Sequence, residues 1–408
     1  MKIAILTDSI EEGPTSIGKY TENLVKNLLK IINKDKINVK IVLIHSKKNN
    51  RAGYINKLIK FVISWFKIKK SHNFLIKIIL FMFNHIHSLL RNLKIIRTIS
   101  NCDCVHIPHL AGATAPSLVY LLLYDKLIVT LHGVAPLVIP PTLYFRDRDS
   151  LPFSLKISVY LWKYIFKRIP KLYLITVSHS EKKNISKSLN IPPEKIIVIY
   201  HGVSKKIKNL KHKNIIKKEL HEKYRINFPF IFHLSAYQPK KNVEGLIKAF
   251  AILKKRYKIK EKLVIGGRQP DHLKELTKNL GIENDVIFIG FIPEKDLHLF
   301  YANAEAFVFP SFHESFGMPI LEAMAYGCPV ITSNVFSMPE IAGKAAILVD
   351  PHDIEELANA IYKILKNKIL KRKLVKLGIE RVKKFTWERC AKEHLKVYIE
   401  VNKIGNHV

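Results

Sequence analysis

Short apolar runs alternate with helical patterns of apolar residues along the whole chain. Apolar runs bounded by Gly, Pro and polar residues are typical of buried strands, and the intervening helical patterns are typical of crossover helices. The pattern therefore predicts an α/β chain with parallel sheets. In the first half, strands are predicted at Lys2–Leu6, Val39–Ile44, Val105–Pro108, Leu127–Leu131, Tyr173–Val177 and Ile196–Tyr200, and a helix from about Lys19 to Ile32.

A second α/β series follows a polar, Lys-rich stretch at Ser204–Lys218, which we interpret as an interdomain linker. With 408 residues, 48% of them hydrophobic, the chain is long enough for two domains with separate cores. We expect an N-terminal domain at 1–208 and a C-terminal domain at 209–385. In the second half, strands are predicted at Phe230–Leu234, Lys262–Ile265, Val286–Ile289, Ala306–Phe309 and Val330–Thr332, with helices at about Val243–Tyr257, Ile354–Leu365 and Thr386–Val401.

The charge is strongly positive, with 68 Lys and Arg against 33 Asp and Glu, a net charge of +35. Such a charge predicts attraction to an anionic membrane or to nucleic acid. No Asp or Glu occurs between Lys36 and Cys102, and an insertion at about 47–100 interleaves lysines with aromatic residues. No apolar run there reaches the ~20 residues that span a bilayer, so the pattern favours helices lying in a membrane interface. The alternative is an ordinary packed helical pair whose lysines face solvent.

Four cysteines, Cys102, Cys104, Cys328 and Cys390, are too few and too scattered for a disulfide framework. Cys102 and Cys104 lack a second pair that would complete a metal site, so we expect core thiols and no metal. The N-terminal strand lacks the order of a signal peptide, which predicts a cytoplasmic location.

Residues 313–340 carry the densest candidate chemistry. Glu314 opens the segment, a turn follows at Gly317, and a predicted helix then contains Glu322. A glycine loop leading into a helix N-terminus presents N–H groups and a positive dipole end, which suits a diphosphate. Glu322 can accept two sugar hydroxyls, and Glu314 can hold a further polar group. These features predict a sugar-nucleotide pocket; the alternative is a helix whose glutamates only cap and solvate it.

This segment resembles the donor-site signature of the retaining glycosyltransferases of family 4, glycosyl transferases group 1. The resemblance rests on Glu-x7-Glu with Phe316-Gly317-Met318-Pro319 between the two glutamates, and it continues through Leu348-Val349-Asp350-Pro351. It implies the GT-B fold, with two Rossmann-like domains whose parallel sheets face each other across a cleft. By the family motif, Glu314 and the amides of Phe316, Gly317 and Met318 would hold the sugar, and Glu322 the ribose.

A second motif, residues 235–242, follows the first strand of the predicted second domain, where open α/β sheets bind ligands. From the residues alone, either Lys240 or Lys241 could neutralise a diphosphate. The stretch resembles the family's Gly-x-x-x-Pro-Arg-Lys-Asn loop, which implies that Lys241 is the phosphate-binding lysine. Ser235 stands where the family has Gly, and Lys240 where it has Arg, which keeps the charge but loses a planar two-pronged donor.

Two further positions on this side have two interpretations each. Arg268 closes a predicted strand and either shares the diphosphate or is a surface residue. Phe291 lies in a turn that resembles the family's base-binding turn, and it is either a stacking partner or a core residue.

In the first domain, Gly18 ends a loop that resembles, in weakened form, the family's Gly-Gly-Ile-Gly-Arg-Tyr loop. A glycine there could let backbone amides reach the donor phosphates or the acceptor, and we assign Gly18 to the donor side. His132 follows a predicted strand and resembles the family's histidine at the cleft floor, where it can donate to a sugar hydroxyl. His109 is an acceptor-side candidate.

Ser178 is predicted to cap a helix above Glu181. The stretch 385–389 resembles the start of the family's terminal helix, which implies that 386–408 crosses back to the first domain.

The resemblance implies transfer of a hexose, with mannose favoured, from a nucleoside diphosphate sugar to an acceptor with retained configuration. Lys241, Glu314 and His132 would be the catalytic residues, and neither cofactor nor metal would be needed. The acid-free insertion suggests a membrane-bound, lipid-linked glycan acceptor and a peripheral place on the inner face of the cell membrane. One alternative is a sugar-nucleotide epimerase on the same fold. Another is a basic protein that binds nucleic acid or membrane; the helical spacing of its aromatics favours membrane over nucleic acid.

Overall fold

The computed structural model describes residues 1–7, 16–44, 98–109, 126–145, 150, 163, 172–203 and 213–404. Within these ranges the chain forms two six-stranded sheets, and the strand registers determined in both sheets are parallel. The prediction of a two-domain α/β fold is confirmed.

The first sheet has the strand order β2-β1-β3-β4-β5-β6. Its first strand, β1, pairs with β2 on one side and with β3 on the other. The strands are β1 Lys2–Leu6, β2 Lys40–Ile44, β3 Cys104–Ile107, β4 Leu127–Leu131, β5 Leu172–Thr176 and β6 Ile196–Val198.

The second sheet has the order β12-β11-β10-β7-β8-β9, so that its first strand, β7, lies between β8 and β10. Successive strands are added on one side of β7 up to β9 and on its other side from β10 onward. The loops that leave β7 and β10 therefore start side by side. Such a switch point is where open α/β sheets bind ligands. The strands are β7 Phe230–Leu234, β8 Lys262–Gly266, β9 Val286–Gly290, β10 Ala306–Phe309, β11 Val330–Ser333 and β12 Ala346–Val349.

Helices connect these strands, and short 3-10 turns such as Pro239–Lys241 occur between them. The helices are α1 Ser16–Lys34, α2 Pro141–Tyr144, α3 His179–Leu189, α4 Lys213–Tyr224, α5 Val243–Tyr257, α6 Asp271–Asn279, α7 Leu297–Asn303, α8 Met318–Ala325, α9 Ser337–Ala342, α10 Ile354–Lys366, α11 Lys368–Val382 and α12 Trp387–Ile404.

Both faces of the second sheet are buried because each strand alternates its side chains between two apolar clusters. Phe230, Phe232, Phe307 and Phe309 pack on one face, and Ile231, with its neighbours on the adjacent strands, packs on the other. Burial on both faces explains why these strands appear in the sequence as continuous apolar runs.

The predicted elements are confirmed with ends that differ by a few residues, except at the predicted linker. There, residues 213–218 form the first part of α4, in which Ile216 and Leu220 are buried against the core of the second sheet. The lysines on its other face made the stretch look like a linker. The rest of the predicted linker, 204–212, lies outside the described residues.

The chain divides into two compact units. The first comprises Met1–Thr130, Ile165–Leu174 and His394–Val408, and the second comprises Leu131–Tyr164 and Ile175–Glu393. The division passes through β4, β5 and α12. The domain limits 1–208, 209–385 and 386–408 stay predictions from the sequence.

A buried polar network lies inside the first unit. His106 on β3 pairs through Nδ1 with the Tyr398 hydroxyl at 2.7 Å and through Nε2 with the Thr130 hydroxyl at 2.8 Å. The Tyr20 hydroxyl contacts His394 Nε2 at 2.8 Å and Thr130 Oγ1 at 3.3 Å. The network links the end of α12 to α1 and to two strands of the first sheet.

Several sequence interpretations fall outside the described residues. The basic insertion at about 47–100 lies there except for its last three residues, as does the start of the Gly18 loop. None of the helices that the structure describes is long and apolar enough to cross a bilayer.

Candidate active site

The candidate site lies in the second unit, where the loops after β7 and β10 leave the switch point of the second sheet. The first loop runs through residues 235–242 to α5, and the second through residues 310–317 to α8. A backbone hydrogen bond of 2.7 Å from Phe312 N to Lys240 O joins the two loops directly. The two motifs identified separately in the sequence are thus neighbours in space.

Lys241 and Glu314 meet at this junction. Lys241 Nζ donates to Glu314 Oε1 at 2.6 Å, with the side chains 18% and 12% exposed. Burial raises the pKa of Glu314, but the positive charges of Lys241 and Lys240 outweigh it and hold that pKa below its ordinary value. Glu314 is therefore an ionised, largely dry carboxylate, and Lys241 is its partner.

Lys240 adds a second positive charge beside the same carboxylate. Burial is the main cause that lowers the pKa of Lys240, and the nearby charge of Glu314 opposes it. Its ammonium group lies 5.0 Å from the centre of the Tyr144 ring, within the range of a cation–π contact. Two lysines against one glutamate leave an excess of positive charge at the junction, which suits an anion.

Asn242 anchors the C-terminal end of residues 235–242, the lysine loop. Its backbone is left-handed (φ 55°, ψ 42°), and α5 begins at the next residue. Its side chain is buried, and Nδ2 donates to Pro310 O at 3.1 Å and to Pro351 O at 2.7 Å. The amide thereby connects the lysine loop to the segments that follow β10 and β12.

Ser235, which stands where the family has glycine, forms a hydrogen bond with His233. His233 Nδ1 lies 2.8 Å from Val308 O and Nε2 lies 2.8 Å from Ser235 Oγ. Burial lowers the pKa of His233 to about 4, so the ring is neutral near pH 7. Because a carbonyl only accepts, Nδ1 carries the proton, and the Ser235 hydroxyl donates to Nε2. The hydroxyl at this position is therefore held inside the fold.

Gly267 allows the backbone that follows β8 to lie close to the backbone carbonyl of Ser235. Its φ is +96°, and a Cβ built there would lie 2.1 Å from Ser235 O. Only glycine fits this position, because both the conformation and the space exclude a side chain.

The glycine turn before α8 is confirmed. Gly317 adopts φ 95° and ψ 48°, and α8 begins at Met318. Phe316 is buried, so the turn is held on its apolar side. Glu322 lies about one turn inside α8, where Oε2 accepts from the Tyr301 hydroxyl at 3.1 Å.

Three side chains that the sequence interpretation did not assign to the site make hydrogen bonds in this region: two serines contact carbonyls of the turn, and Glu340 contacts the start of α3. Ser337 Oγ lies 2.8 Å from Glu314 O and 3.1 Å from Phe316 O, and Ser178 Oγ donates to Ser315 O at 2.7 Å. Glu340 accepts from His179 N at 2.8 Å and Ser180 N at 3.1 Å, at the start of α3. The sequence carries no periodic signal for these contacts. The predicted cap at Ser178 is confirmed, since its Oγ also accepts from Glu181 N at 3.0 Å.

A buried carboxyl–imidazole pair lies beneath the turn. Glu181 and His313 are fully buried, with Oε2 and Nε2 4.0 Å apart. Among the described residues, neither of these two atoms has a hydrogen-bond partner. Burial raises the pKa of Glu181, while a 2.6 Å bond from Val134 N opposes the shift. Burial and then the charge of Lys240 lower the pKa of His313 to about 4.

His132 belongs to the same unit and lies near the turn. Its ring centre is 5.3 Å from that of His201, which is 4.9 Å from that of Phe316. A Cβ at the next residue, Gly133, would lie 2.2 Å from Ser315 Oγ. The segment that carries His132 and Gly133 is therefore packed against the turn that contains Ser315 and Gly317.

The other predicted residues are placed differently. Arg268 is exposed, and its carbonyl accepts from Tyr237 N at 3.1 Å, which sets its backbone beside the lysine loop. Phe291 is 77% exposed, so the alternative of a core phenylalanine is wrong. Gly18 and His109 lie in the first unit, on α1 and just after β3.

No cluster of three or more His, Cys, Asp or Glu with metal-binding geometry occurs in the part of the chain that the structure describes. The expectation that the chain needs no metal or cofactor stays a prediction.

Comparisons with known proteins agree with this geometry. The family model for Glycosyl transferases group 1 matches residues 216–381, and that for Glycosyltransferase Family 4 matches residues 21–206. O-antigen chain mannosyltransferase B of Escherichia coli is 25% identical over 98% of this chain and 99% of its own length. O-antigen chain mannosyltransferase RfbU of Salmonella typhimurium is 30% identical over 58% of this chain and 60% of its own length, less than two thirds of that relative.

A solved structure shares the fold. Anabaena HepE in complex with UDP and glucose has a TM-score of 0.68 at 18% identity, over 98% of this chain and 100% of HepE. The sheets, the switch-point site and the two family matches lead to one assignment: the chain belongs to the group 1, family 4 glycosyltransferases and is a glycosyltransferase of the GT-B fold.

Proposed function

We propose that this glycosyltransferase transfers a hexose, with mannose favoured, from a nucleoside diphosphate sugar to a membrane-associated, lipid-linked glycan, and that the anomeric configuration is retained. The observation that carries the proposal is the Lys241–Glu314 ion pair of 2.6 Å at the switch point, with α8 starting four residues after Glu314. An ammonium group and free helix N–H groups suit a diphosphate, and an ionised carboxylate suits sugar hydroxyls.

The chemistry assigns a role to each group. The bond between the anomeric carbon and the diphosphate oxygen breaks, so negative charge grows on the leaving diphosphate. Lys241 would stabilise that charge together with the amides of Gly317 and Met318, and Arg268 would lie at its outer side. Glu314 would orient the hexose, and Glu322 would accept from the ribose hydroxyls.

Retention would follow without a covalent intermediate on the protein. The acceptor oxygen would attack the face from which the diphosphate departs, and its proton would pass to that diphosphate. His132 would hold a sugar hydroxyl or the acceptor. Gly18 would lie on the donor side and His109 on the acceptor side.

The identity of the sugar is inferred from the relatives. Two of them are named O-antigen chain mannosyltransferases, which supports mannose and a polysaccharide product. HepE is described in complex with UDP and glucose, which keeps UDP-glucose as a competitor to GDP-mannose. The acid-free basic insertion at about 47–100 supports a partner that is an anionic membrane surface, and hence a peripheral place on the cytoplasmic side.

The experiment is a transfer assay. The purified chain is incubated with GDP-mannose or UDP-glucose and with lipid-linked glycan acceptors, and the product's anomeric configuration is determined by NMR. We expect transfer from GDP-mannose with retained configuration and unchanged activity in EDTA. Hexose released or epimerised without any acceptor would contradict the proposal and favour an epimerase or a hydrolase.

Membrane association is tested separately, by flotation with anionic vesicles at rising salt. We expect binding that weakens with salt and is lost when residues 47–100 are deleted. Equal binding after that deletion would contradict the membrane assignment.

A further inference from the structure

Phe336 has a backbone conformation that an L-residue with a side chain rarely adopts. Its φ is 52° and its ψ is −131°. Gly343, at the other end of the same short helix α9, has nearly the same values, φ 56° and ψ −135°. Glycine reaches this region without strain, but a phenylalanine there is held at a cost. The same conformation therefore occurs at both ends of α9, and only one of them has a side chain.

The strained residue lies beside the candidate sugar-binding turn. The ring centre of Phe336 is 4.4 Å from that of His313, the residue immediately before Glu314. The next residue, Ser337, contacts the carbonyls of Glu314 and Phe316 through its Oγ. The backbone that carries the strain and the backbone that carries Glu314 are thus tied together.

Phe336 is only partly buried, whereas His313, against which its ring packs, is fully buried. His313 contributes no exposed polar atom, because among the described residues both ring nitrogens are buried and without a hydrogen-bond partner. The imidazole packs against the phenyl ring with the two ring planes tilted by 56°, and Phe336 keeps some exposed surface. Strain at a position that also presents an aromatic surface next to a ligand loop is typical of a functional residue.

We propose that Phe336 is a specificity-determining residue for the transferred hexose: its ring, backed by His313, packs against the apolar C–H face of the sugar that Glu314 holds. This inference rests on the proposed function, because it needs a hexose at Glu314. Epimeric hexoses present different C–H faces, so an aromatic wall distinguishes between them by contact rather than by hydrogen bonds.

The experiment compares binding of a sugar nucleotide with binding of the bare nucleotide. Dissociation constants for GDP-mannose and GDP, or for the UDP pair if the wild type prefers it, are measured by calorimetry on wild type and Phe336→Gly. We expect affinity for the sugar nucleotide to fall about tenfold, the size of a good aromatic contact, and affinity for the bare nucleotide to change less than about twofold. Phe336→Tyr is expected to restore the wild-type ratio. Phe336→Asn, which also tolerates positive φ, serves if the glycine variant does not fold.

Lys258→Gly is the matched control. Lys258 also has a positive φ, 49°, but it is exposed at the end of α5. The control relieves backbone strain without touching the turn, so its affinity ratio should equal that of the wild type.

Specificity is read from transfer. The ratio of kcat/KM for GDP-mannose over its C2 epimer GDP-glucose, or the matching UDP pair, should shrink about fivefold or more in Phe336→Gly. Equal losses for sugar nucleotide and bare nucleotide, no loss, or an unchanged epimer ratio would each overturn the inference. If the wild type binds neither nucleotide, the proposed function fails and this inference fails with it; unchanged ratios in an active variant contradict this inference alone.

Discussion

Lys241 Nζ lies 2.6 Å from Glu314 Oε1, although 73 residues separate the two in the chain. The pair forms because β7 and β10 are neighbours in the sheet, and the loops that leave them start side by side. The positive charges hold the pKa of Glu314 low against the effect of burial, which maintains an ionised carboxylate in a largely dry site.

Lys241→Ala is expected to lower transfer by about a hundredfold or more, since it removes the charge that we propose stabilises the leaving diphosphate. The variant should also be less stable at pH 7, because a buried carboxylate loses its partner. The measurements are kcat/KM and urea unfolding. Lys248→Ala on the exposed side of α5 is the control and should change neither. Transfer within threefold of wild type would contradict the role of Lys241.

The pH dependence of the same variant has a defined sign. A carboxyl whose pKa is lower in the folded state gives stability that is present above its unfolded pKa and is lost as pH falls. Without Lys241, that contribution shrinks. The stability deficit of Lys241→Ala should therefore be larger at pH 7 than at pH 4, and a constant deficit would contradict the assignment.

Glu181→Gln is expected to show the opposite behaviour. Burial raises the pKa of Glu181, so this group gives stability that is present below its unfolded pKa and is lost as pH rises through the folded value. Glutamine keeps the oxygen that accepts from Val134 N but cannot ionise. The melting temperature of Glu181→Gln relative to wild type should thus rise between pH 4 and pH 7. Glu275→Gln, exposed on α6, is the control, and a falling difference would contradict the prediction.

Tyr398→Phe removes the hydroxyl that pairs with His106 Nδ1 at 2.7 Å inside the first unit. The loss should cost about 1–3 kcal/mol of the free energy of unfolding, because the buried polar partner remains. Urea unfolding measures it. Tyr362→Phe, whose ring stacks on Tyr257 with the centres 4.0 Å apart, is the control and should cost about 0.5 kcal/mol or less. Equal costs would show that the network contributes little.

A comparison of Gly267→Ala with Gly281→Ala separates the cost of backbone strain from the cost of a steric clash. Gly267 and Gly281 both have positive φ, 96° and 66°, but only at Gly267 would a Cβ meet another atom, Ser235 O at 2.1 Å. Gly281→Ala should cost roughly 1–2 kcal/mol for the conformation alone. Gly267→Ala should cost more and weaken nucleotide binding, because Ser235 and the lysine loop must shift. Thermal unfolding and calorimetry measure both effects, and equal behaviour of the two variants would contradict the account.

Apolar runs in the sequence predict every strand of the two described sheets except β12, since strands buried on both faces appear as runs such as Phe230–Leu234 and Ala306–Phe309. The strand β12, Ala346–Val349, is not among the predicted strands. Helices α6, α7, α9 and α11 were missed because they are short or carry a weak apolar pattern. The start of α4 has the sequence pattern of a linker because its lysines outnumber its buried residues.

The candidate site likewise contains some features that the sequence predicts and others that it does not. Motifs with fixed local spacing, such as Glu314 to Glu322, could be predicted from the chain alone. Ser337, Glu340 and Phe336 could not, because their contacts join segments brought together by strand order, and a strained φ leaves no mark on composition. His313 had a signal, its place directly before Glu314, but its buried neighbour Glu181 lies more than a hundred residues away in the chain.

The proposed function requires that the junction of Lys241, Glu314 and α8 binds a nucleoside diphosphate and that Glu322 contacts its ribose. The most direct test is thermal stabilisation of wild type and Glu322→Ala by GDP, UDP, ADP and CMP, with Glu275→Ala as control. We predict that one diphosphate raises the melting temperature of the wild type and of the control, and that the effect is lost in Glu322→Ala. Stabilisation by none of the four, or equal stabilisation of Glu322→Ala, would contradict the account.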